Sequence, residues 1–216
     1  MIYLRSATKT YFSEDMPPKL VLRPTTLTLP TDRRVAILGG RSQGKTTLLR
    51  LLTGALAPND GQVIAAPLHF SPIVNPGQLF HARLSGMENI RLVARMLGVD
   101  GERLSRAVVV FCRGEIDLEM PLRLYTGVRR QLLEIGLLSV LPFDCYVLDN
   151  AHLLEPALLE RCFKTTAGRG AGMIYATSVS RHVYHYADHA VVIRDGTVRG
   201  FNQVEEAIES YERQAV

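Results

Sequence analysis

The sequence predicts an α/β fold in which buried strands and amphipathic helices surround a phosphate-binding loop. Three observations lead to this prediction. Residues 39–46 read Gly-Gly-Arg-Ser-Gln-Gly-Lys-Thr and match the P-loop pattern G-x-x-x-x-G-K-[ST] in full. The apolar run 35–38 precedes this loop as a strand should, and the amphipathic run 46–52 follows it as a helix should. Farther along, the apolar run 145–148 ends at the carboxylate of Asp149, which is the form of a second strand of such a sheet.

The P-loop residues are the candidate ligands of a nucleotide. Glycines let the backbone curl until successive N–H groups point at a polyphosphate, while Lys45 adds positive charge and the Thr46 hydroxyl can bind Mg²⁺. The helix that starts here directs its positive end at the same anion. The candidates are Gly39, Gly40, Arg41, Ser42, Gln43, Gly44, Lys45, Thr46 and Thr47. The alternative is an ordinary glycine-rich turn between a strand and a helix.

Length and composition suit one sizeable domain, with room for a small lobe. The longest uncharged apolar stretch, residues 135–143, is too short to span a bilayer, and residues 1–5 do not have the pattern of a signal peptide. We therefore expect a soluble, cytoplasmic chain. Cys112, Cys145 and Cys162 lack metal-ligand spacing and lie in apolar surroundings, which indicates reduced core residues. The net charge of +4 is dispersed and does not distinguish between anionic partners.

Two segments ahead of the P-loop, residues 3–7 and 20–29, alternate apolar and polar side chains. This period predicts a small antiparallel sheet, with a turn at Pro17 and Pro18. Tyr11 is expected in the connection between the two strands. Its ring is a candidate for stacking on an adenine, and the alternative is a tyrosine that only packs on its neighbours.

The remaining patterns complete the fold. The P-loop helix is expected to run to about residue 56, followed by a turn and a strand over residues 62–65. Helical spacing predicts a mostly helical insert over about residues 80–140. The strand 145–148 is expected to lie beside the P-loop strand. Strands over residues 173–176 and 190–193, a hairpin turn at Asp195 and Gly196 into 197–200, and a helix over 204–211 follow.

Taken in order, the P-loop, the glycine-containing turn at residues 124–128 and the strand ending at Asp149 resemble the nucleotide-binding subunit of an ABC transporter. The resemblance covers nearly the whole chain. Within that superfamily, residues 84–90, Leu-Ser-Gly-Met-Glu-Asn-Ile, are similar to the L-T-G-R-E-N-I segment of ATPases that export capsular polysaccharide and related cell-surface glycans. The short tail ending near Ser210 and Tyr211 fits the same group.

The resemblance implies a P-loop NTPase fold of the ABC type, one domain over residues 1–216 with an antiparallel β subdomain and a helical insert. It implies ATP and Mg²⁺ as cofactors, with the metal held by Thr46 and Asp149. It also implies a homodimer, or a heterodimer with a second ATP-binding subunit, docked under a multi-span membrane permease on the cytoplasmic face of the inner membrane. No nucleic acid partner is expected. The turn formed by Tyr125, Thr126 and Gly127 would contact the nucleotide of the partner subunit.

Two departures from the family pattern bear on catalysis. Where the family has a Glu that activates water, this chain has Asn150, whose amide cannot accept a proton at neutral pH. Where the family has a His that contacts the γ-phosphate, it has Ser178. Losing a general base costs roughly 10²- to 10⁴-fold in rate. We therefore expect a subunit that binds Mg-ATP and hydrolyses it slowly or not at all.

Two softer departures accompany these. His81 stands where the family has a Mg²⁺-sensing glutamine, and Gln78 would substitute only with a shifted loop. Tyr125 occupies the usual serine position of the signature turn, unless a residue has been lost and Thr126 takes the role.

Other readings remain open at this stage. A soluble P-loop kinase or an ATP-dependent scaffold or regulator are the alternatives in other functional classes. His152 is a minor candidate for a replacement base. His182, His185 and His189 share helical spacing, for which an exposed polar face is favoured over a metal site. Arg129 and Arg130 are either contacts of phosphate or permease acids, or exposed helix charges.

Overall fold

A computed structural model of the chain describes residues 1–14, 17–77 and 79–213. The chain divides into two compact units. The first comprises Met1–Ile73, Phe143–His152 and Gly170–Val216, and the second comprises Val74–Pro142 and Leu153–Arg169. The first unit contains both sheets, and the second contains the helices that we assigned to an insert.

The eight strands found in the described residues all belong to the first unit. They are β1 (Ile2–Tyr11), β2 (Lys19–Leu29), β3 (Arg34–Leu38), β4 (Gln62–Ala65), β5 (Cys145–Leu148), β6 (Gly172–Thr177), β7 (His189–Arg194) and β8 (Thr197–Phe201). Five of them form a sheet in the order β5-β6-β3-β7-β8, in which only the β7–β8 pair is antiparallel. The expectation that β5 lies beside the P-loop strand β3 was wrong, because β6 pairs with both and lies between them.

The other sheet is antiparallel, in the order β2-β1-β4. Ile2 and Leu4 of β1 are buried while Tyr3 between them is half exposed, as the alternating pattern predicts. The predicted sheet ahead of the P-loop is therefore confirmed. Tyr11 is not in the connection, as expected, but is the last residue of β1, because the pairing with β2 continues to Lys19.

Three helices complete the first unit: α1 (Lys45–Leu52), α6 (Ser180–Tyr186) and α7 (Val204–Glu212). Helix α1 ends at Leu52 and not near residue 56, because Thr53 caps it and Gly54 turns the chain at a positive φ of 74°. Leucines of α1 pack in one core with apolar residues of both sheets. This core includes Leu48, Leu49, Leu51, Leu52, Ile2, Leu4, Ile37, Val147, Ile174 and Val191.

The second unit contains α2 (Gly86–Leu97), α3 (Gly101–Phe111), α4 (Gly127–Val140) and α5 (Pro156–Ala167). Three of these helices start at a side-chain cap. Ser85 and Glu88 form a reciprocal capping box on α2, Asp100 caps α3, and Thr126 caps α4. The prediction of helical character across this region is confirmed.

Two helices were missed by the sequence analysis. Helix α5 carried a readable signal, since its buried residues recur with helical spacing after Pro156 at the first position: Leu158, Leu159, Cys162, Phe163 and Thr166. Helix α6 has seven residues, and only Val183 in it is fully buried, so its pattern was too short to recognise.

The structure also bears on the predictions for the cysteines, the histidines and membrane spans. All three cysteines are buried and free, as predicted. His189 lies in β7 and not on a helical face with His182 and His185, so that grouping was wrong. Among the described residues, no helix combines the length and the apolar character that a membrane crossing requires.

An ion pair connects the first residue of β3 with the residue before β7. The backbone N and Nε of Arg34 donate to Oδ2 of Asp188 at 2.9 and 3.0 Å, and Nη2 donates to Oδ1 at 2.6 Å. These bonds hold the pKa of Asp188 below its usual value. Because both side chains are more than a third exposed, solvent screens the pair.

We predict that Asp188→Asn lowers the free energy of unfolding by about 1 kcal/mol at neutral pH. A depressed carboxyl pKa contributes stability above the unfolded value of about 3.9 and loses it as the pH falls through the lower folded value. The difference between the two proteins should therefore shrink below about pH 4. Urea unfolding at several pH values measures it. Glu160→Gln, which breaks an exposed i,i+4 pair with Lys164, is the control and should cost less than about 0.5 kcal/mol. A difference that is constant with pH would contradict the assignment.

Candidate functional site

The P-loop lies between the end of β3 and the start of α1, as the sequence predicted. Its entry is fixed where the Gly39 backbone N donates to the Thr177 carbonyl oxygen at 3.2 Å. Ser42 and Gly44 have positive φ values of 62° and 101°. Alternation between left-handed and right-handed residues makes successive N–H groups converge, which is the geometry of an anion-binding concavity. Gly44 caps α1 without a side-chain hydrogen bond.

Two glycines are required by the space around the loop. A Cβ on Gly39 would lie 2.7 Å from both Cγ2 and the carbonyl oxygen of Ile193, and a Cβ on Gly44 would lie 2.6 Å from Cγ1 of Val21. The loop is also fixed from the β7–β8 turn, where the Asp195 backbone N donates to Oε1 of Gln43 at 2.6 Å. Arg41 and Ser42 at the tip are exposed.

Lys45 is a buried cation, with 7% of its surface exposed. Its Nζ donates to the carbonyl oxygens of Gly39 and Gly40 at 2.8 and 2.7 Å. Burial lowers the pKa of Lys45, while the negative charge of Asp149 opposes that shift. The charge is thus held inside the loop by neutral carbonyl groups, where an anionic phosphate oxygen would be a stronger partner.

Thr46 and Asp149 meet, although 103 positions separate them in the sequence: Oγ1 of Thr46 donates to Oδ2 of Asp149 at 2.6 Å. Asp149 follows β5 and is 3% exposed, and its other oxygen accepts from the Asn150 backbone N at 2.8 Å. A hydroxyl and a carboxylate are the hard oxygen ligands that Mg²⁺ takes alongside substrate phosphates. The donor set therefore fits Mg²⁺. No cluster of three or more His, Cys, Asp or Glu side chains that could hold a metal occurs in the described part of the chain.

Asn150 and Ser178 follow β5 and β6, at the carboxyl ends of strands that run parallel to β3. Carboxyl ends of parallel strands lie at one edge of the sheet, so both residues lie on the side where the P-loop begins. Asn150 has a φ of 49°, a conformation that Asn tolerates better than most residues. The carbonyl oxygen of Ser178 accepts from Oη of Tyr211 at 3.5 Å.

Tyr11 lies next to α1, with its Oη 3.3 Å from Oγ1 of Thr47. The tyrosine is 40% exposed, and Nζ of Lys9 lies 5.8 Å from the ring centroid. The structure thus places an exposed aromatic ring beside the P-loop helix. Stacking itself stays a prediction.

His152 and His182 are partly buried imidazoles of the first unit. Nδ1 of each is buried without a hydrogen-bond partner among the described residues. Burial is the main reason why the pKa of each is lowered. The positive charge of Lys45 adds to the shift for His152 against the opposing charge of Asp149, and for His182 the neighbouring His152 adds to it. The lowered pKa favours the neutral form of each ring and makes each a weaker proton acceptor.

The remaining predicted residues belong to the second unit. Thr126 caps α4 through a bond of 3.4 Å from the Arg129 backbone N, and the space around Gly127 is open. Oη of Tyr125 donates to the Asp117 carbonyl oxygen, and burial raises the pKa of Tyr125 to about 12, so it acts as a structural donor. Tyr125 therefore stabilises the base of the turn, and Thr126 is the hydroxyl at the helix start.

His81 is exposed, and its backbone is held by the buried side chain of Asn89 at 3.0 and 3.2 Å. Arg129 is exposed, whereas Arg130 bonds within its own unit. Gln78, the other candidate in this loop, lies outside the described residues. Asn89 and Glu134, a buried acid in α4, were not singled out from the sequence. A lone acid within the apolar run of α4 was the available signal.

Comparison with known proteins agrees with this geometry. The family described as ABC transporter matches residues 22–95, which include the P-loop and all but the last two residues of α2. It is 28% identical over 203 residues to the ATP-binding protein BexA of Haemophilus influenzae, covering 89% of this chain and 90% of that protein. It is 26% identical over 201 residues to the capsule polysaccharide export ATP-binding protein CtrD of Neisseria meningitidis, with coverage of 89% and 90%.

A solved structure supports the predicted fold. The ATP-binding cassette MJ0796, solved as a dimer in a post-hydrolysis state with ADP and Pi, aligns with a TM-score of 0.77 at 18% identity. The alignment covers 93% of this chain and 98% of that one. The predicted fold class, a P-loop fold of the ABC type, is confirmed.

The crowding around the two ends of the P-loop gives a prediction. Gly44→Ala should destabilise the protein by about 2 kcal/mol, because it combines a left-handed backbone with a Cβ that collides with Val21. Gly40→Ala is the matched control, since its Cβ would meet only Cγ of Gln43 at an ordinary 3.6 Å and should change stability by less than about 0.5 kcal/mol. Thermal unfolding of both variants without nucleotide measures the difference. Equal stability of the two would show that the loop is not held in this conformation.

Proposed function

We propose that this chain is the ATP-binding subunit of an ABC transporter that exports capsular polysaccharide or a related cell-surface glycan. The observation that carries the proposal is the P-loop with its Thr46–Asp149 pair, in a chain similar along most of its length to the capsule polysaccharide export ATP-binding protein CtrD. The two units described above together form one ABC-type domain over residues 1–216. The permease handles the glycan, and the chain supplies the nucleotide-dependent step.

ATP binds at the P-loop with its triphosphate on the N–H groups that converge at residues 39–46 and on Nζ of Lys45. Bound Mg²⁺ would neutralise charge on the β- and γ-phosphates. Thr46 and Asp149 are its protein ligands. Their hydrogen bond of 2.6 Å supports this role, because it already places two oxygen ligands side by side. Tyr11 supplies an exposed ring for the base next to α1.

Hydrolysis is impaired, because the groups that act on water are replaced. Asn150 directly follows Asp149, but its amide holds a water without accepting a proton. Ser178 takes the place of the γ-phosphate-contacting His, and a single contact of this kind is worth about 3 to 4 kcal/mol in the transition state. His81 replaces the Mg²⁺-sensing Gln. The subunit therefore closes on ATP and reopens slowly.

The working assembly is a pair of ATP-binding subunits under a multi-span permease, at the cytoplasmic face of the inner membrane. The exposed start of α4 supports a partner-facing role, since the Tyr125–Gly127 turn leaves open space around Gly127. N–H groups at that helix start would bind the γ-phosphate of the nucleotide on the partner subunit. The pair is a homodimer or a heterodimer with a second ATP-binding subunit. In a heterodimer a competent partner site would complement the altered one.

The proposal is tested by purifying the tagged chain from membranes of its own host and measuring Mg-ATP binding by equilibrium dialysis. A multi-span membrane protein should co-purify, whereas a soluble kinase or a free scaffold would come without one. Lys45→Ala should weaken ATP binding by about 10-fold or more, because a charged hydrogen bond to phosphate is worth about 1.5–3 kcal/mol. Arg50→Ala, which removes an exposed cation at the far end of α1, should leave it unchanged. Phosphoryl transfer to a small acceptor, or no ATP binding at all, would refute the proposal.

The altered chemistry gives a separate prediction. Asn150→Glu should raise ATP turnover by about 10- to 100-fold, since it restores a proton acceptor beside Asp149. Asn150→Gln lengthens the side chain in the same way without adding a base and should leave turnover at the wild-type level. His152→Ala is expected to leave turnover unchanged as well. Robust wild-type hydrolysis that Lys45→Ala abolishes would contradict impaired hydrolysis, and a silent Asn150→Glu would show that Asn150 does not limit the rate.

A further inference from the structure

Glu134 is a fully buried carboxylate in the middle of α4, with no exposed surface. Its two oxygens accept from two backbone N–H groups of one loop: Oε2 from Gly77, and Oε1 from Leu79 at 3.1 Å. Both partners precede α2, in the part of the chain that first enters the second unit. One side chain therefore fixes two points of this loop to α4.

Arg130, one helical turn earlier, makes the adjoining contact. Its Nη2 donates to the Phe80 carbonyl oxygen at 3.2 Å. Its Nε lies 3.5 Å from Oε1 of Glu134, a separation of an ion pair, but without hydrogen-bond geometry. Glu134 thus accepts from two N–H groups of the loop, and Arg130 donates to one of its carbonyl oxygens. Together they hold Gly77, Leu79 and Phe80 against the first half of α4.

The other end of the loop is held from α2. Asn89 is 2% exposed, and its Oδ1 accepts from the His81 backbone N at 3.0 Å. Its Nδ2 donates to the carbonyl oxygens of His81 and Ser85 at 3.2 and 2.9 Å. The described residues of this loop belong to no helix or strand that would satisfy these polar groups, so buried side chains of two helices do so.

Burying a charged side chain between a helix and a loop costs free energy, because the charge loses its contact with water. Burial raises the pKa of Glu134, while the two N–H donors and Arg130 act in the opposite direction. Removing one partner of such a cluster leaves the rest unsatisfied, whereas an apolar residue would pack at α4 without that cost. Unlike an apolar side chain, the carboxylate accepts directional hydrogen bonds from two backbone N–H groups and so fixes both positions.

Helix α4 begins at the Thr126–Gly127 turn, and Arg130 and Glu134 lie one and two turns beyond that start. We infer that Glu134 and Arg130 are positioning residues that join the loop at residues 77–81 to the helix carrying the signature turn, so that the two segments respond to nucleotide together. This inference rests on the proposed function, because it concerns how ATP binding reaches the signature turn. The loop is also where His81 replaces the family's Mg²⁺-sensing residue. Because Glu134 holds the backbone of the loop, a displacement of the loop would reach α4 without a glutamine side chain at position 81.

Hydrogen exchange measured by mass spectrometry on the full-length protein tests this, with and without Mg-ATP. Glu134→Gln is nearly isosteric and turns one acceptor into a donor that faces a backbone N–H. Exchange at residues 77–81 should become about tenfold faster or more, since a buried donor loses its partner. In the wild type, ATP should change exchange at residues 77–81 and at 125–131 together. In Glu134→Gln the change at 125–131 should be lost, while the ATP affinity stays within about twofold.

Ser139→Ala is the matched control, because Ser139 is also buried in α4 but donates to Sγ of Cys162 and does not contact the loop. It should leave exchange at 77–81 and the coupled response unchanged. Exchange at residues 35–38 of β3 is compared in the same samples: if it is unchanged, the faster exchange at 77–81 reports the loop and not global unfolding. If Glu134→Gln keeps the coupled ATP response, the inference is overturned while the proposed function stands. If wild-type protein shows no ATP binding, the proposed function fails, and the linkage falls with it even where exchange at 77–81 shows the local hold.

Discussion

The hydrogen bond between Thr46 and Asp149 joins the first turn of α1 to the end of β5, two strands away from the strand that leads into the P-loop. It depends on the parallel arrangement of β3, β6 and β5, whose carboxyl ends lie at one edge of the sheet. It depends equally on a loop backbone that approaches Ile193 and Val21 without a Cβ in the way. Any shift of β5 or α1 by the length of one side chain would separate the two oxygens.

The same edge of the sheet contains the groups to which the proposed function assigns binding and hydrolysis. The residues proposed to hold phosphate and metal include the buried Lys45 and an acid beside it. At the positions proposed to act on water, the chain has an amide and a hydroxyl that follow the neighbouring strands. Binding draws on backbone geometry and fixed charge, whereas hydrolysis also requires a proton acceptor at one atom. A few side-chain changes can therefore suppress turnover and leave binding intact.

The second unit uses buried polar side chains to hold a segment without regular structure. Glu134 and Asn89 satisfy backbone groups of the loop between residues 77 and 85, and each belongs to a different helix. This arrangement trades some stability for a defined loop conformation, because buried polar groups are costly unless all of them are paired. The loop and α4 are thereby linked through the side chains of Glu134 and Arg130.

The sequence by itself determined the P-loop, the strand before it, the carboxylate at the end of β5 and most of the helices, because each is specified by residue type and spacing within a short window. Turn chemistry placed the β7–β8 hairpin for the same reason. Only the tertiary structure decided that β6 lies between β3 and β5, that Tyr11 extends β1 beside Thr47, and that Glu134 and Asn89 hold one loop. These features depend on which distant segments pack together. A local pattern shows that a residue is apolar or charged. Which groups form hydrogen bonds with a buried charge is determined by the tertiary structure.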